Sequence, residues 1–553
     1  VSEDLKKQNR VADILKEEGL ESDRKFFEES LATLDQWLPR VYLDYPSGLS
    51  WQAVDALGRV FCSEDRVSGY VLYFLNNKIA QEGHTCYPLS LLFGALSYTF
   101  PRLVEDKPQL QESIRKLMDF GRVMVNKHAI WITHSHADEN MILSGIRDAA
   151  SRKPDLDIPA DAYISGLTSA QAQAIRELNN SRVLILDGFP GTGKTWTSSK
   201  IVKYLEAEGY DVTLLAPTGL AAKNLKDRCK KYASTIHSFV LSRKNQDKTL
   251  QGRQAFIIDE FSMVDTRILS EFFEVIQDCS PYLVFVGDTN QLPSVGAGNL
   301  LAEIISLKDK LKLSYVQLTE IIRQQTGSEI AQNAALIRSG RTDLINQAEF
   351  NFCEMAPSDI PQTILKFANK MMSDRREFVV LSPVKKGPCG VDALNAVLRE
   401  IFNPPSSHKR QTDEYREGDR ILVNRNFYDY GLVNGDIGTL KEIQSPNKFV
   451  IAVADKEYTI DNEVISNLKH AYALTVHKAQ GQEFETVLMP FIDGFGSMLK
   501  NRLLYTAITR AKRKCVVFGN MTAMKRAIKN NKDQDRFTGL QLIELGKPSW
   551  GKA

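Results

Sequence analysis

Residues 185–196 read ILDGFPGTGKTW. An apolar run, residues 183–187, gives way at Gly188 to a glycine-rich turn that ends in Lys194 and Thr195 and opens into a helical pattern. The spacing from Gly188 to Thr195 is G-x-x-x-x-G-K-[ST], and a strand before it with a helix after it is the context a phosphate-cradling loop needs. Gly188, Gly191 and Gly193 let the backbone N–H groups of the loop, that of Thr192 included, turn toward phosphate oxygens, and the positive end of the following helix adds its attraction. Lys194 then reaches the β- and γ-phosphates, and Thr195 is placed to hold Mg²⁺. The stretch predicts a site for ATP and Mg²⁺ at the end of a buried strand, without saying what hydrolysis drives.

Outward from this loop, short β-rich runs alternate with helical ones. Residues 183–187, 212–216, 255–258 and 282–286 are apolar and end in polar or glycine-rich turns, the pattern of a parallel sheet covered by helices on both faces. AFIIDEFSMVD (255–265) closes one run with adjacent carboxylates: Asp259 for the metal's outer shell and Glu260 to polarise the attacking water. FVGDTNQLPSVGAG (285–298) closes the next, with Gln291 placed to sense the γ-phosphate. A second alternating series begins near Ser314 and resumes with FVVLS (378–382), ETVLMP (485–490) and KCVVFG (514–519). Between its parts, residues 435–461 show short strands and turn residues with little helical periodicity, a small β insert. Arg323 in QLTEIIRQQ and Arg510 in LLYTAITRAKRK stand at the edge of this second series. Either can stabilise transition-state charge only if two sheets face each other across the nucleotide.

The 553 residues are too many for one core and suit three or four domains. Hydrophobic residues at 43% and charged residues at 25% are globular values, and no apolar run has the length of a membrane span, so no membrane partner is expected. The start, VSEDLKK, lacks the pattern of a secretory signal. Seven scattered cysteines without a C-x-x-C pair suit a reducing cytoplasm. A net charge of +2 means that a polyanion must be held by a local groove. Residues 1–150 read as mainly helical, and the prolines and aspartates of residues 151–165 mark a linker. WITHSHADEN (131–140) offers His134, His136 and Asp138 in an H-x-H-x-D spacing that metal sites use. The plainer reading is a polar loop ending a strand, because only eight histidines exist to complete a binuclear set.

Taken in order, these blocks resemble a superfamily-1 helicase, specifically the RecD family of its type B branch, over roughly residues 165–545. GLTSAQAQAI (166–175) resembles the Q motif, LAPTGLAAKNL (215–225) motif Ia and STIHSF (234–239) motif Ib. VLSPVKKGPCGVDALN (380–395), REGDRILVNRNFYDYGLVNGDIG (416–438), AYALTVHKAQGQEFE (471–485) and RFTGLQLIEL (536–545) resemble RecD-type blocks of a second motor domain. EGHTCYPLS (82–90) resembles a signature of the RecD N-terminal domain.

The resemblance implies an α/β architecture of two RecA-like P-loop domains, each a parallel sheet with helices on both faces. To these it adds a mainly helical N-terminal domain (1–150) and a small SH3-like β insert near residues 403–470. The motor domains would span 166–310, with a short 1B insert near 238–254, and 311–553. It implies Gln171 as adenine reader, Gly481 and Glu483 on the nucleotide, and Thr218, His237, Ser382, Thr475, His477 and Lys478 on single-stranded DNA. The implied activity is an ATP-dependent DNA helicase moving 5′ to 3′ on single strands and at single-strand/duplex junctions, in DNA repair or recombination. It would act alone, beside nuclease or helicase partner subunits, or with a single-strand-binding protein. The segment after His237 is short for a strand-separating pin. Other readings stand beside this one: a P-loop loader that remodels protein partners, a nuclease–helicase with THSHADEN as a metal site, and the helicase subunit of a nuclease complex.

Overall fold

The apolar runs around the phosphate loop lie side by side in a six-stranded sheet. Its order is Ala233–Thr235, Asp211–Ala216, Gln254–Ile258, Tyr282–Gly287, Val183–Gly188 and Ser314–Leu318, with every pairing parallel. This is a computed structural model, describing residues 3–18, 20, 41–44, 50–101, 106–245, 250–320, 328–427, 430–453, 456–530 and 536–546. Strands Val183–Gly188, Gln254–Ile258 and Tyr282–Gly287 are buried at every position, which is why they read as continuous apolar runs rather than alternating ones. Helices fill both faces: Ile185, Phe256 and Phe285 pack on one side with Phe272, and Leu184, Ile257 and Val284 on the other with Tyr204.

One expectation is corrected here. The strand Ser314–Leu318 does not open the second series but completes the first sheet at its edge, beside Val183–Gly188. Helices Leu300–Ser306 and Lys308–Leu311 form the crossover that returns the chain there, and the Ser314 hydroxyl donates to the Glu177 carbonyl at 3.0 Å.

The second sheet has the order Phe350–Glu354, Ala511–Gly519, Phe484–Phe491, Phe378–Ser382 and Ala473–Thr475, again all parallel. Between its strands Phe378–Ser382 and Ala473–Thr475 the chain leaves to build a separate five-stranded antiparallel sheet. That sheet runs from Arg420–Val423 to Leu468–His470 and has its own core around Tyr415, Leu440 and Ile451.

Toward the N-terminus, helices Arg66–Glu82, Leu89–Thr99 and Lys107–Asp119 surround a three-stranded antiparallel sheet. Strand Ala129–Ile132 then runs straight into helix Thr133–Ser151. His134, His136 and Asp138 therefore lie on a helix and not in a loop. His136 packs edge-on against Trp131 at 5.4 Å and bonds Asn140, and Asp138 pairs with Arg267 at 3.3 Å. Among the described residues no group of three or more His, Cys, Asp or Glu is arranged to hold a metal. The expected 1B segment begins with helix Ile236–Lys244 and falls in part, at residues 246–249, outside the described residues.

The block 536–545 also departs from expectation. Instead of packing in the second lobe, Leu540 joins the core of the first with Ile142 and Phe273, and Leu542 packs against Trp131 and Cys86 of the N-terminal region. No described helix is long and apolar enough to cross a membrane.

Candidate functional site

Strand Val183–Gly188 delivers the phosphate loop, in which Gly191 and Gly193 take φ of 81° and 80°, and helix Lys194–Ala207 begins directly after it. The Lys194 ammonium donates to the Gly188 carbonyl at 2.7 Å and the Phe189 carbonyl at 3.2 Å. It is curled over its own loop, where phosphate oxygens can replace those carbonyls. Thr192 turns inward, its hydroxyl on the Phe189 carbonyl at 2.7 Å, so its backbone is what it can offer a ligand.

Asp259 ends strand Gln254–Ile258 and accepts from the Glu260 amide at 2.9 Å. Burial pushes its pKa up, while the Glu260 amide, Lys194 and Arg228 pull it back. Glu260 stands at φ 51°, a left-handed backbone that costs a non-glycine residue about 1–3 kcal/mol and persists where the surroundings enforce it. Burial raises the Glu260 pKa and the charge of Asp259 adds to that; Arg510 and Lys194 oppose it. A carboxylate raised in this way is the better proton acceptor. Gln291 is buried, with its amide nitrogen on Asp288 at 3.4 Å. Its side-chain oxygen has no partner among the described residues.

Arg510 comes from the second sheet, at the turn between helix Asn501–Ile508 and strand Ala511–Gly519. It is 3% exposed and is aimed by bonds to the Thr506 and Gln482 carbonyls, each at 3.1 Å. Lys194, Thr195, Asp259, Glu260 and Gln291 from the first lobe, with Gly481, Glu483 and Arg510 from the second, line one cleft of about 420 Å³. A cavity of about 640 Å³ adjoins it, sharing Phe189, Pro190, Gly191, Glu483 and Lys512, so the cleft can hold more than a triphosphate tail. The lobes are pinned around it: Tyr505 donates to Asp288 at 3.0 Å, the Leu292 amide to the Thr506 hydroxyl at 3.0 Å, and Asn224 to the Gly481 carbonyl at 3.1 Å.

Gln171 is not brought to the cleft wall. It is 1% exposed, and its amide spans the Thr168 N–H at 3.1 Å and the Thr192 carbonyl at 2.9 Å, tying the Q-motif helix to the phosphate loop. Arg323 lies outside the described residues. Sequence reasoning missed Arg228 and Asn224, which line the cleft. With Ala221 they repeat at helical spacing along Gly219–Cys229, a signal that was present. It also missed Gln480 and Gln482, which flank Gly481 and bond the Leu292 and Gly435 carbonyls at 3.2 and 3.3 Å.

On the other candidate surface, Thr475 and Lys478 line a third cavity of about 400 Å³ with Lys385, Lys469 and Arg399, a basic groove between the second lobe and the β insert. Burial and the nearby Lys385 lower the Lys478 pKa. Its ammonium donates to Asn434 of the insert at 2.9 Å. Thr218 caps helix Gly219–Cys229, and His237 is exposed on the first turn of Ile236–Lys244. His477 is half-buried next to Lys478. Ser382 is corrected: it is fully buried and its hydroxyl donates to the Cys389 carbonyl at 2.8 Å, holding the strand end and not a ligand.

Comparison with known proteins adds three matches in chain order. Residues 166–353 match an AAA domain, 394–454 the SH3 domain of ATP-dependent RecD-like DNA helicases, and 470–518 the UvrD-like helicase C-terminal domain. The ATP-dependent RecD2 DNA helicase of Deinococcus radiodurans is 27% identical over 503 residues, 86% of this chain and 68% of that protein. The RecBCD enzyme subunit RecD of Mycolicibacterium smegmatis is 25% identical, over 73% of this chain and 80% of its own. A Bacteroides Pif1 helicase solved with ADP-AlF3 and single-stranded DNA superposes with a TM-score of 0.45 at 18% identity, covering 66% of this chain and 95% of that one.

Proposed function

The chain belongs to the RecD-like superfamily-1 helicases, and on that premise we propose that it is an ATP-dependent DNA helicase that moves 5′ to 3′ along single-stranded DNA. What supports the reading above all is Arg510: a buried arginine of the second lobe lines the same cleft as Lys194, Glu260 and Gln291 of the first. Thr195 and Asp259 are the residues that would hold Mg²⁺, which when bound neutralises phosphate charge. The donor set fits: the Thr195 hydroxyl, on the first turn of its helix, stands against the Asp259 carboxylate just past a strand end, with Lys194 beside them. Lys194 and the loop amides bind the phosphates, Gln291 orients the water through its unpartnered oxygen, and Glu260 takes that water's proton. Arg510 brings the second lobe's charge to the transition state only when the lobes are closed.

Hydrolysis is thereby tied to lobe closure, and closure brings together two surfaces that meet the strand. Thr218 and His237 contribute from the first lobe; Thr475, His477 and Lys478 from the second. Hydroxyls and a few cations suit phosphate contacts that ignore sequence. The same segment, residues 473–483, carries both Lys478 at the groove and Glu483 at the cleft, a short path for coupling.

The test is phosphate release with and without single-stranded DNA, together with strand displacement from duplexes tailed at either end. Turnover should rise steeply with the single strand, vanish in Lys194→Ala, and drive unwinding only from 5′ tails. DNA-independent turnover would favour the protein-remodelling reading, and unwinding from 3′ tails would reverse the direction.

A further inference from the structure

The blocks EGHTCYPLS and RFTGLQLIEL take no part in the cleft, yet their leading residues meet directly behind one of its walls. The chain from Asp288 to Asn299 carries Gln291 and contains no helix or strand, so its backbone polar groups must be satisfied from outside. The second lobe holds Leu292, through Thr506 and Gln480. Past Leu292 the partner is Arg536. One terminal nitrogen of its guanidinium donates to the carbonyls of Gly296 at 2.9 Å and Gly298 at 2.7 Å, and the other to that of Ser294 at 2.8 Å. Three carbonyls of one loop are gathered by one planar cation.

The brace has an abutment on each side. The Gly298 amide donates to the Gly83 carbonyl at 2.9 Å. Gly83 has φ 71°, and a Cβ there would lie 2.5 Å from the Arg536 guanidinium carbon, so only glycine permits this approach. Next to it the Phe537 amide donates to His84 Nδ1 at 2.9 Å, the Thr85 amide to the Phe537 carbonyl at 2.9 Å, and the His84 and Phe537 rings stack at 4.7 Å. From the opposite side the Thr266 amide and hydroxyl donate to the Ala297 carbonyl at 2.9 and 3.0 Å. Thr266 opens the helix that follows Asp259 and Glu260. The loop is thus clamped between the chain leaving the catalytic carboxylates and a wall built from residues 83–85 and 536–537.

We propose that Arg536 is a positioning residue for ATP hydrolysis, fixing the loop that presents Gln291 to the cleft. The proposal rests on the reading of that cleft as an ATPase site. Loss of the fork frees three carbonyls and lets Gln291 drift, and a displacement of about 1 Å at a group that orders the reacting water costs up to about 10²-fold in rate. ATP binding itself uses the phosphate loop, which Arg536 does not touch, so KM should be spared.

The experiment is steady-state phosphate release at saturating single-stranded DNA, with ATP titrated. The variants are Arg536→Lys, Arg536→Gln, Gln291→Ala, Arg536→Gln with Gln291→Ala, and Gly83→Ala, which attacks the brace from the other side. Rates are divided by the stoichiometry of binding of a non-hydrolysable ATP analogue, so that unfolded protein does not count as slow protein. Glu544→Gln, which removes the ion pair to Arg147 farther along the same segment, serves as control. We expect Arg536→Gln and Gly83→Ala to lower kcat about 10-fold or more with KM for ATP within about 2-fold, and the double variant to be no slower than Gln291→Ala alone. Glu544→Gln should behave as wild type. If Arg536→Gln does not fold, Arg536→Lys, which keeps the charge and reaches fewer carbonyls, is scored by the same comparison. Losses that multiply in the double variant, or a rise in KM at unchanged kcat, overturn the proposal. Full turnover by Lys194→Ala would instead overturn the cleft itself, so the two failures can be told apart.

Discussion

At Arg510 the shape of the cation matters as well as its charge. Two backbone carbonyls, of Thr506 and Gln482, aim the guanidinium into the cleft, and a lysine could neither span them nor offer a planar fork to phosphate oxygens. Arg510→Lys should lower kcat by at least about 10²-fold while nucleotide affinity changes little, because the arginine acts on charge that develops in the transition state. Phosphate release set against fluorescent-nucleotide binding checks this, and an unaltered kcat would mean that the second lobe does not complete the site. Lys194, Thr195, Asp259 and Glu260 were legible in the sequence because phosphate chemistry fixes their types within a few positions of a strand end. Gln171 and Ser382 show the limit of such reading. Both motifs are present, but no motif says which way a side chain turns, and packing sends Gln171 to the Thr192 carbonyl and Ser382 into the core. Gln291 lines the cleft and its motif is visible in the sequence, whereas the brace behind it, some 240 residues on at Arg536, left no local trace.

Among the elements, the loop of the β insert around Val433 touches both lobes. Lys478 and Gln482 of the second lobe bond Asn434 and the Gly435 carbonyl, and on the first lobe the loop sits on Gly219, where a Cβ would lie 2.2 Å from Val433. Overpacking of this kind costs about 1–3 kcal/mol unless a neighbour yields. Gly219→Ala should therefore push the loop away, leaving DNA-free ATP turnover nearly intact while reducing its stimulation by single-stranded DNA; Val433→Ala in the same chain should restore stimulation by making room. Both are read from one series of phosphate-release curves, and failure of the second change to restore the first would show that this contact carries no coupling. The strands of both sheets could be read from sequence because burial on two faces leaves unbroken apolar runs. Ser314–Leu318 and the helix Leu540–Leu545 could be recognised as apolar, but a short apolar segment does not say which core it enters. His134, His136 and Asp138 misled for a related reason: the helix begins at Thr133, immediately after the strand, with no intervening turn residue to mark it.

For the whole molecule, the chain's last described segment closes a ring, joining the N-terminal region to the first lobe after the second lobe is complete. At the centre of that junction Glu139 is buried and accepts from the Thr85 hydroxyl, from Trp131 Nε1 at 2.8 Å and from the Gly539 amide at 2.8 Å. Glu303 of the first lobe lies nearby, with Thr538 and the Leu540 amide beside it but outside hydrogen-bond geometry. Burial pushes both carboxyls up, Glu139 from 4.5 to about 7 and Glu303 well above its ordinary value; the charge of Glu139 raises Glu303 further, and that of Asp138 raises Glu139. The three donors favour charge on Glu139, so Glu303 is the one that stays protonated. An acid whose pKa is raised in the folded state binds its proton more tightly there than when unfolded. Glu139's share of the junction's stability is accordingly present in full below about pH 4.5 and is lost as pH rises through about 7, and Glu303's share is lost in the same direction. Asp419 contributes the opposite slope: although burial opposes it, His470 3.4 Å away and bonds from Arg399 and Asn403 hold its carboxyl below the usual range, so its share is lost as pH falls. A wild-type stability curve mixes these signs, and a difference between two proteins separates them. Glu303→Gln keeps the shape of the neutral acid and cannot ionise, so its thermal midpoint should fall less than wild type's between about pH 5 and about pH 8, with proteolytic release of residues 536–546 rising less over the same range. Identical slopes for the two proteins would mean that this carboxyl pair does not set the pH response of the junction.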